Sequence, residues 1–187
     1  MEIQAFLELD LSFIIVIYLG FLLFMRAPRT VVLPSLLGGL LLAVVNIVTD
    51  IVAYFIHFWH YTISGLTFHV PLPFYISDVL FYGSIIYLLI WRFWESRLRW
   101  LSLLLLIGTP IFGIVRDFYA GTLAYSPYTP EWQNPFAIVL DIAMWIVMFY
   151  GGYLLFRRLS PTYTEVKEQE QENEEEETPQ VEHEVRP

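Results

Sequence analysis

The chain contains no cysteine. That excludes disulfides, thiol nucleophiles and thiolate metal sites. It has a single lysine, Lys167, and charged residues make up only 16% of it, well below the roughly 25% of soluble domains. No basic patch interleaved with aromatics is present, so nucleic-acid binding has no support. There is no glycine-rich phosphate loop and no HExxH metal motif. The first ten residues, MEIQAFLELD, are acidic where a secretory signal needs a basic start, so no signal peptide is expected.

The little charge there is lies unevenly. From Glu165 onward, ten Glu stand against Lys167 and Arg186, whereas residues 1–164 hold nine acids and eight Arg. The stretch EVKEQEQENEEEETPQVEHEVRP has almost no apolar residues and too much like charge to bury a core. It predicts a disordered acidic tail over residues 160–187, whose natural partner would be basic and cytoplasmic.

Residues 1–159 are the opposite. The chain as a whole is 57% hydrophobic and 18% aromatic, and most of that weight falls here. A membrane span needs about 20 mostly apolar residues to cross a hydrocarbon layer of about 30 Å. Five segments qualify, at about 11–25, 32–58, 74–91, 100–119 and 136–156. The fold expected is all-α: a five-helix transmembrane bundle. Pro34 is expected in the first turn of the second span, where its missing N–H costs little. Pro110 falls inside the fourth.

Arginine sets an orientation. Arg26 and Arg29 follow the first span, Arg92, Arg97 and Arg99 separate the third and fourth, and Arg157 and Arg158 follow the fifth. Loops 59–73 and 120–135 have no basic residue. Positive charge marks the cytoplasmic side, so the N-terminus is expected outside and the C-terminal tail inside the cell membrane.

Five ionisable side chains interrupt the spans: Asp50, Asp78, Arg116, Asp117 and Asp141. Each costs about 2.5–3.5 kcal/mol at a helix centre. In the expected topology all five fall in the outer half of the membrane. Asn46, Asp50 and His57 recur at helical spacing, with His60 a turn further on, so this polar stripe should face the bundle interior. The expected site is an acidic pocket opening outward.

Crowded carboxylates cannot all ionise cheaply, which suits a general acid or a proton relay. Asp78 and Asp50 are the candidate acid and base. Arg116 would orient groups or neutralise charge, with Asp117 and Asp141 as further carboxylates. His57 and His60 would move protons or, with Asp50 and Asp78, bind a metal. No cofactor is required by the sequence. Each group also has a structural role open to it. Arg116 can pair with Asp141, Asp78 or Asp50, Asp117 can be solvated, and Asp78 can cap its helix. The outer loop 120–135, with Pro127, Pro130, Glu131 and Pro135, is long enough to cover such a pocket.

The segments DIVAYFIHFWHYTISG and LPFYISDVLFYG carry an acid, a Trp-x-Tyr element, a Gly, and a Pro-led helix start with an acid before Leu-Phe. With Asp50, Trp59, Tyr61, Gly65, Pro73, Asp78, Leu80 and Phe81 in place, residues 46–90 resemble the membrane-bound lycopene cyclases of carotenoid biosynthesis. The family's paired Glu is Ser77-Asp78 here. The resemblance implies acid-initiated chemistry on a long isoprenoid, with Asp78 as the acid. The partners expected are membrane lipid and a lipid-soluble substrate. Two other readings stand beside it. One is a proton- or cation-coupled transporter or its accessory subunit, which the uncharged inner half of the bundle opposes. The other is a non-catalytic assembly protein acting through its tail.

Overall fold

The computed structural model describes residues 3, 6–7, 11–123 and 130–177, the last four by their backbone alone. Helix α1 spans Leu11–Met25, α2 Arg29–Phe55, α3 Leu72–Trp94, α4 Arg99–Leu123, α5 Ala137–Leu159 and α6 Tyr163–Glu177. Helices α2, α3, α4 and α5 are each long and apolar enough to cross a membrane. Helix α1 is shorter, reaching about 22 Å at about 1.5 Å per residue. Leu23, Phe24, Leu104, Phe112, Val147 and Leu154 are exposed on the bundle's outside. So continuous an apolar exterior suits lipid rather than water. The protein is a multi-pass membrane protein.

Helix α2 is the centre of the bundle and packs most extensively on α5 and α3. Small residues make the close approach. A Cβ added at Gly83 of α3 would lie 2.3 Å from the Gly39 Cα of α2. Membrane helices associate through such small-residue contacts, because lipid offers no hydrophobic drive to bring them together. Around this contact α3 widens into a π-helix over Asp78–Ile85, a distortion often found at functional sites. Nearby, the Ser84 hydroxyl lies 2.6 Å from that of Ser35 and 3.0 Å from that of Tyr18, tying α3 to α2 and α1.

Proline costs are met by side chains. Pro110 lies inside α4 and cannot donate to the carbonyl of Leu106, four residues earlier. The Tyr150 hydroxyl of α5 donates to that carbonyl instead, at 3.1 Å. Pro34 sits in the second turn of α2 rather than the first, because the helix already begins at Arg29.

Away from the arginines, the two loops meet in a small sheet the sequence did not suggest. Strands β1 (Trp59–Tyr61) and β2 (Pro130–Trp132) pair antiparallel, with Trp59 opposite Trp132 and His60 opposite Glu131. Of loop 120–135, residues 124–129 lie outside the described residues.

The expected disordered tail is corrected over residues 163–177, which form α6. Its start is a reciprocal cap: the Thr162 N–H donates to Glu165 Oε2 at 2.7 Å, and the Glu165 N–H to Thr162 Oγ1 at 3.3 Å. The helix is docked on the basic end of the bundle. Val166 is buried, Trp91 Nε1–H donates to the Pro161 carbonyl at 2.8 Å, and Glu95 accepts from the Thr164 N–H and hydroxyl. Glutamate repulsion disfavours a free helix, and these contacts overcome it. Residues 178–187 of the expected tail lie outside the described residues.

The cap predicts a pH response. Hydrogen bonds from Thr162 hold the Glu165 carboxyl below its ordinary value. A lowered acid contributes stability above its unfolded pKa and loses it as pH falls through the folded one. Backbone hydrogen exchange near residues 162–166 should therefore report fraying below about pH 4. Glu165→Gln keeps an acceptor without a charge and should remove this response. Equal pH dependence in the two proteins would contradict the assignment.

Candidate functional site

The buried acids come from three helices. Asp50 (α2), Asp78 (α3) and Asp141 (α5) are 4%, 0% and 4% exposed. Asp78 and Asp141 each lie within charge range of Asp50 and of the Arg116–Asp117 pair of α4. The five ionisable groups singled out in the spans thus lie in one region of the bundle.

Their surroundings differ sharply. Asp50 is saturated: Oδ1 accepts from Trp59 Nε1–H at 2.9 Å, and Oδ2 from the Tyr61 and Tyr75 hydroxyls at 2.9 and 2.5 Å. Asp50 therefore anchors β1 and the start of α3 to α2. Tyr61 is a durable donor, since desolvation first, and then the charge of Asp50, push its hydroxyl well above the ordinary tyrosine range. Asp78 is different. Its Oδ2 accepts from Asn46 Nδ2 at 2.8 Å, and its buried Oδ1 has no partner. Asp141 Oδ2 is likewise buried without a partner. Buried carboxylate oxygens are almost always satisfied, so these two stand out. Asp78 does not cap its helix, because α3 begins six residues earlier, at Leu72.

Arg116 pairs with its neighbour Asp117, at 2.6 Å, and not with Asp141, Asp78 or Asp50. It also donates to the Tyr82 hydroxyl at 2.7 Å. The rings of Phe74, Tyr82 and Trp145 stand 5.2–5.5 Å from its guanidinium carbon, within cation–π range. Asp117 is not simply solvated, since Trp145 Nε1–H donates to its Oδ2 at 2.7 Å. This arrangement leaves Asp78 and Asp141 without a direct counter-ion.

The polar stripe holds for Asn46 and Asp50, one turn apart on α2, and fails for His57 and His60. Helix α2 ends at Phe55. His57 takes a left-handed conformation at φ 57°, with its N–H on the Tyr54 carbonyl and that of Phe58 on the Ala53 carbonyl. These are the paired bonds of a Schellman helix end. The chain turns there, so His60 lies on β1, 3.7 Å from Glu131. His57 and His60 line a separate cavity of about 420 Å³ with Tyr54 and Gln133. His69 stacks on Tyr54. Among the described residues, no group of three His, Asp or Glu is placed to hold a metal. The ligand set His57, His60, Asp50 and Asp78 is thus not assembled, because the helix end separates its histidines from its acids.

Beside the carboxylate layer is a crevice of about 350 Å³, lined by Leu11, Phe13, Ile14 and Ile17 of α1, Phe74, Ser77, Phe81 and Tyr82 of α3, and Arg116. Ser77, Phe81 and Tyr82 flank Asp78 along α3. Ser77 itself donates to the Phe74 carbonyl at 2.6 Å, which leaves its hydroxyl without a base.

Sequence reading missed the donors Trp59, Tyr61, Tyr75, Tyr82 and Trp145. Part of the signal was spacing: Tyr75, Asp78 and Tyr82 recur at helical intervals, as do Asp141 and Trp145. Compared with protein-family models, curated proteins and solved structures, the chain matches none.

Proposed function

We propose that this is a five-span protein of the cell membrane, with its N-terminus outside and α6 in the cytoplasm, that binds a lipid-soluble, isoprenoid-like molecule and transforms it by acid–base chemistry. The arginine distribution supports the orientation. The observation that carries the chemistry is Asp78, fully buried, with one oxygen held by Asn46 and the other free of any donor.

The crevice beside it is mostly apolar and bounded by the exposed Phe13 and Ile17 of α1, which suits entry from lipid. In this reading protonated Asp78 gives its proton to a carbon–carbon double bond. The O–H bond breaks, a C–H bond forms and a carbocation results. Phe81 offers an aromatic face to the cation. Loss of a proton from a neighbouring carbon to the Asp78 carboxylate restores a double bond and the acid together. The net change is an isomerisation or cyclisation without redox. Asp50 is the anchor rather than the base, since its oxygens are occupied. The likeness of residues 46–90 to membrane lycopene cyclases points to the same substrate class.

The test is expression in a bacterium that makes a linear polyene, with chromatography of the extracted pigments. A new isomer should form with the native chain and fall at least about a hundredfold with Asp78→Asn, while the variant purifies as a folded monodisperse protein. Undiminished conversion by Asp78→Asn, or no isoprenoid bound or changed by the native chain, would sink this reading.

A further inference from the structure

The basic end of the bundle holds a third cavity, apart from the carboxylate layer. It measures about 660 Å³ and lies between the α1–α2 turn, the end of α3 and docked α6. Three cations line it: Arg26, Arg92 and Lys167. Among the described residues neither arginine has a carboxylate partner, and Lys167 pairs with Glu170, the one acid in the lining. Lys167 is the sole lysine of the sequence, and it stands on an otherwise acidic helix at this cavity. Arg92 donates to the Tyr163 hydroxyl and lies over that ring, 4.5 Å from its centre, so docking of α6 completes the site.

The other wall is apolar. Leu23 and Phe24, at the end of α1, line the cavity and are 80% and 85% exposed on the bundle's outside. A ligand here would meet cations at its head and an apolar, lipid-facing wall beside it. Basic pockets at the ends of membrane helices bind anionic headgroups in this way. We infer that this cavity binds the phosphate head of an anionic membrane lipid, with the acyl chains running along Leu23 and Phe24. A free phosphate ion would use the same cations but gain nothing from those two residues.

The test uses the full chain in a neutral detergent, with unfolding temperature followed on adding dioleoyl phosphatidylglycerol, dioleoyl phosphatidylcholine or inorganic phosphate. Phosphatidylglycerol should raise the unfolding temperature saturably, and the other two should not. In the double variant Arg26→Gln/Lys167→Gln, the phosphatidylglycerol concentration for half the effect should rise about thirtyfold, the loss expected for two surface cations. Both side chains are exposed, so the fold should survive their replacement. Arg97→Gln/Arg158→Gln, which removes two basic residues at the same end but outside the cavity, should behave as the native chain. Equal stabilisation by phosphatidylcholine would overturn the headgroup assignment. Equal stabilisation by phosphate would make it a free-anion site. An unchanged response in Arg26→Gln/Lys167→Gln would remove the cavity from the account.

Discussion

Asp50→Ala is expected to unfasten the loop end of the bundle. The substitution leaves three donors with no acceptor: Trp59 Nε1–H and the hydroxyls of Tyr61 and Tyr75. Leaving a buried donor unsatisfied costs about 1–3 kcal/mol. Water entering the space will recover part of this, so the net loss should be about 3 kcal/mol or more. The strain should appear first in β1, because Trp59 and Tyr61 belong to it and Asp50 ties them to α2. Asp50→Asn is an intermediate case. Its one carbonyl oxygen can serve the two tyrosines or the tryptophan, and its amide then opposes the remaining donor. Thermal unfolding in detergent should rank native above Asn above Ala, with raised hydrogen exchange across residues 56–75 in both variants. Asp78→Asn should leave exchange there unchanged, because Asp78 holds only Asn46. If Asp50→Ala unfolded like the native chain, the anchor role would fail, and Asp50 would return as a partner for Asp78 in chemistry.

That contrast between Asp50 and Asp78 is only partly written in the sequence. The rarity of charge in apolar spans was enough to single out Asp50, Asp78, Arg116, Asp117 and Asp141, because an ionisable group in lipid must be paired or useful. Helical spacing was enough to put Asn46 and Asp50 on one face. It failed at His57, where the helix stops without the glycine or asparagine that usually marks such an end. A non-glycine residue in the left-handed region leaves no trace in residue type. Nor does composition tell an anchored carboxylate from a free one. That difference depends on which aromatic N–H and O–H groups the loops bring back, and β1 pairs with a strand some 70 residues later. The helix in the tail is hidden from the sequence for a related reason. Thr162 and Glu165 carry the spacing of a capping box, but Val166, Trp91 and Glu95 decide the matter, and their meeting is tertiary.

Gly83→Val is expected to be the most damaging single change in the bundle. The added Cβ would start 2.3 Å from the Gly39 Cα and 3.0 Å from the Asp78 carbonyl oxygen. Both are backbone atoms, so no side chain can swing aside and α2 and α3 must separate. Overpacking of ordinary cores costs about 1–3 kcal/mol. Here a central helix pair must move apart, and a loss of about 4 kcal/mol or more is expected, among the largest seen for single substitutions. Separation would also draw Asn46 away from Asp78, so any surviving folded protein should lack the activity proposed for that carboxylate. Gly20→Ala and Gly151→Ala supply the comparison, since nothing lies within 4 Å of a Cβ at either position. Both should unfold at the native temperature or slightly above it, as alanine is the better helix former. Size-exclusion profiles and thermal unfolding of the three variants would decide it. A Gly83→Val protein as stable as Gly151→Ala would mean that α2 and α3 do not approach through these glycines. The placement of Asp78 against Asn46 would then have to be abandoned as well.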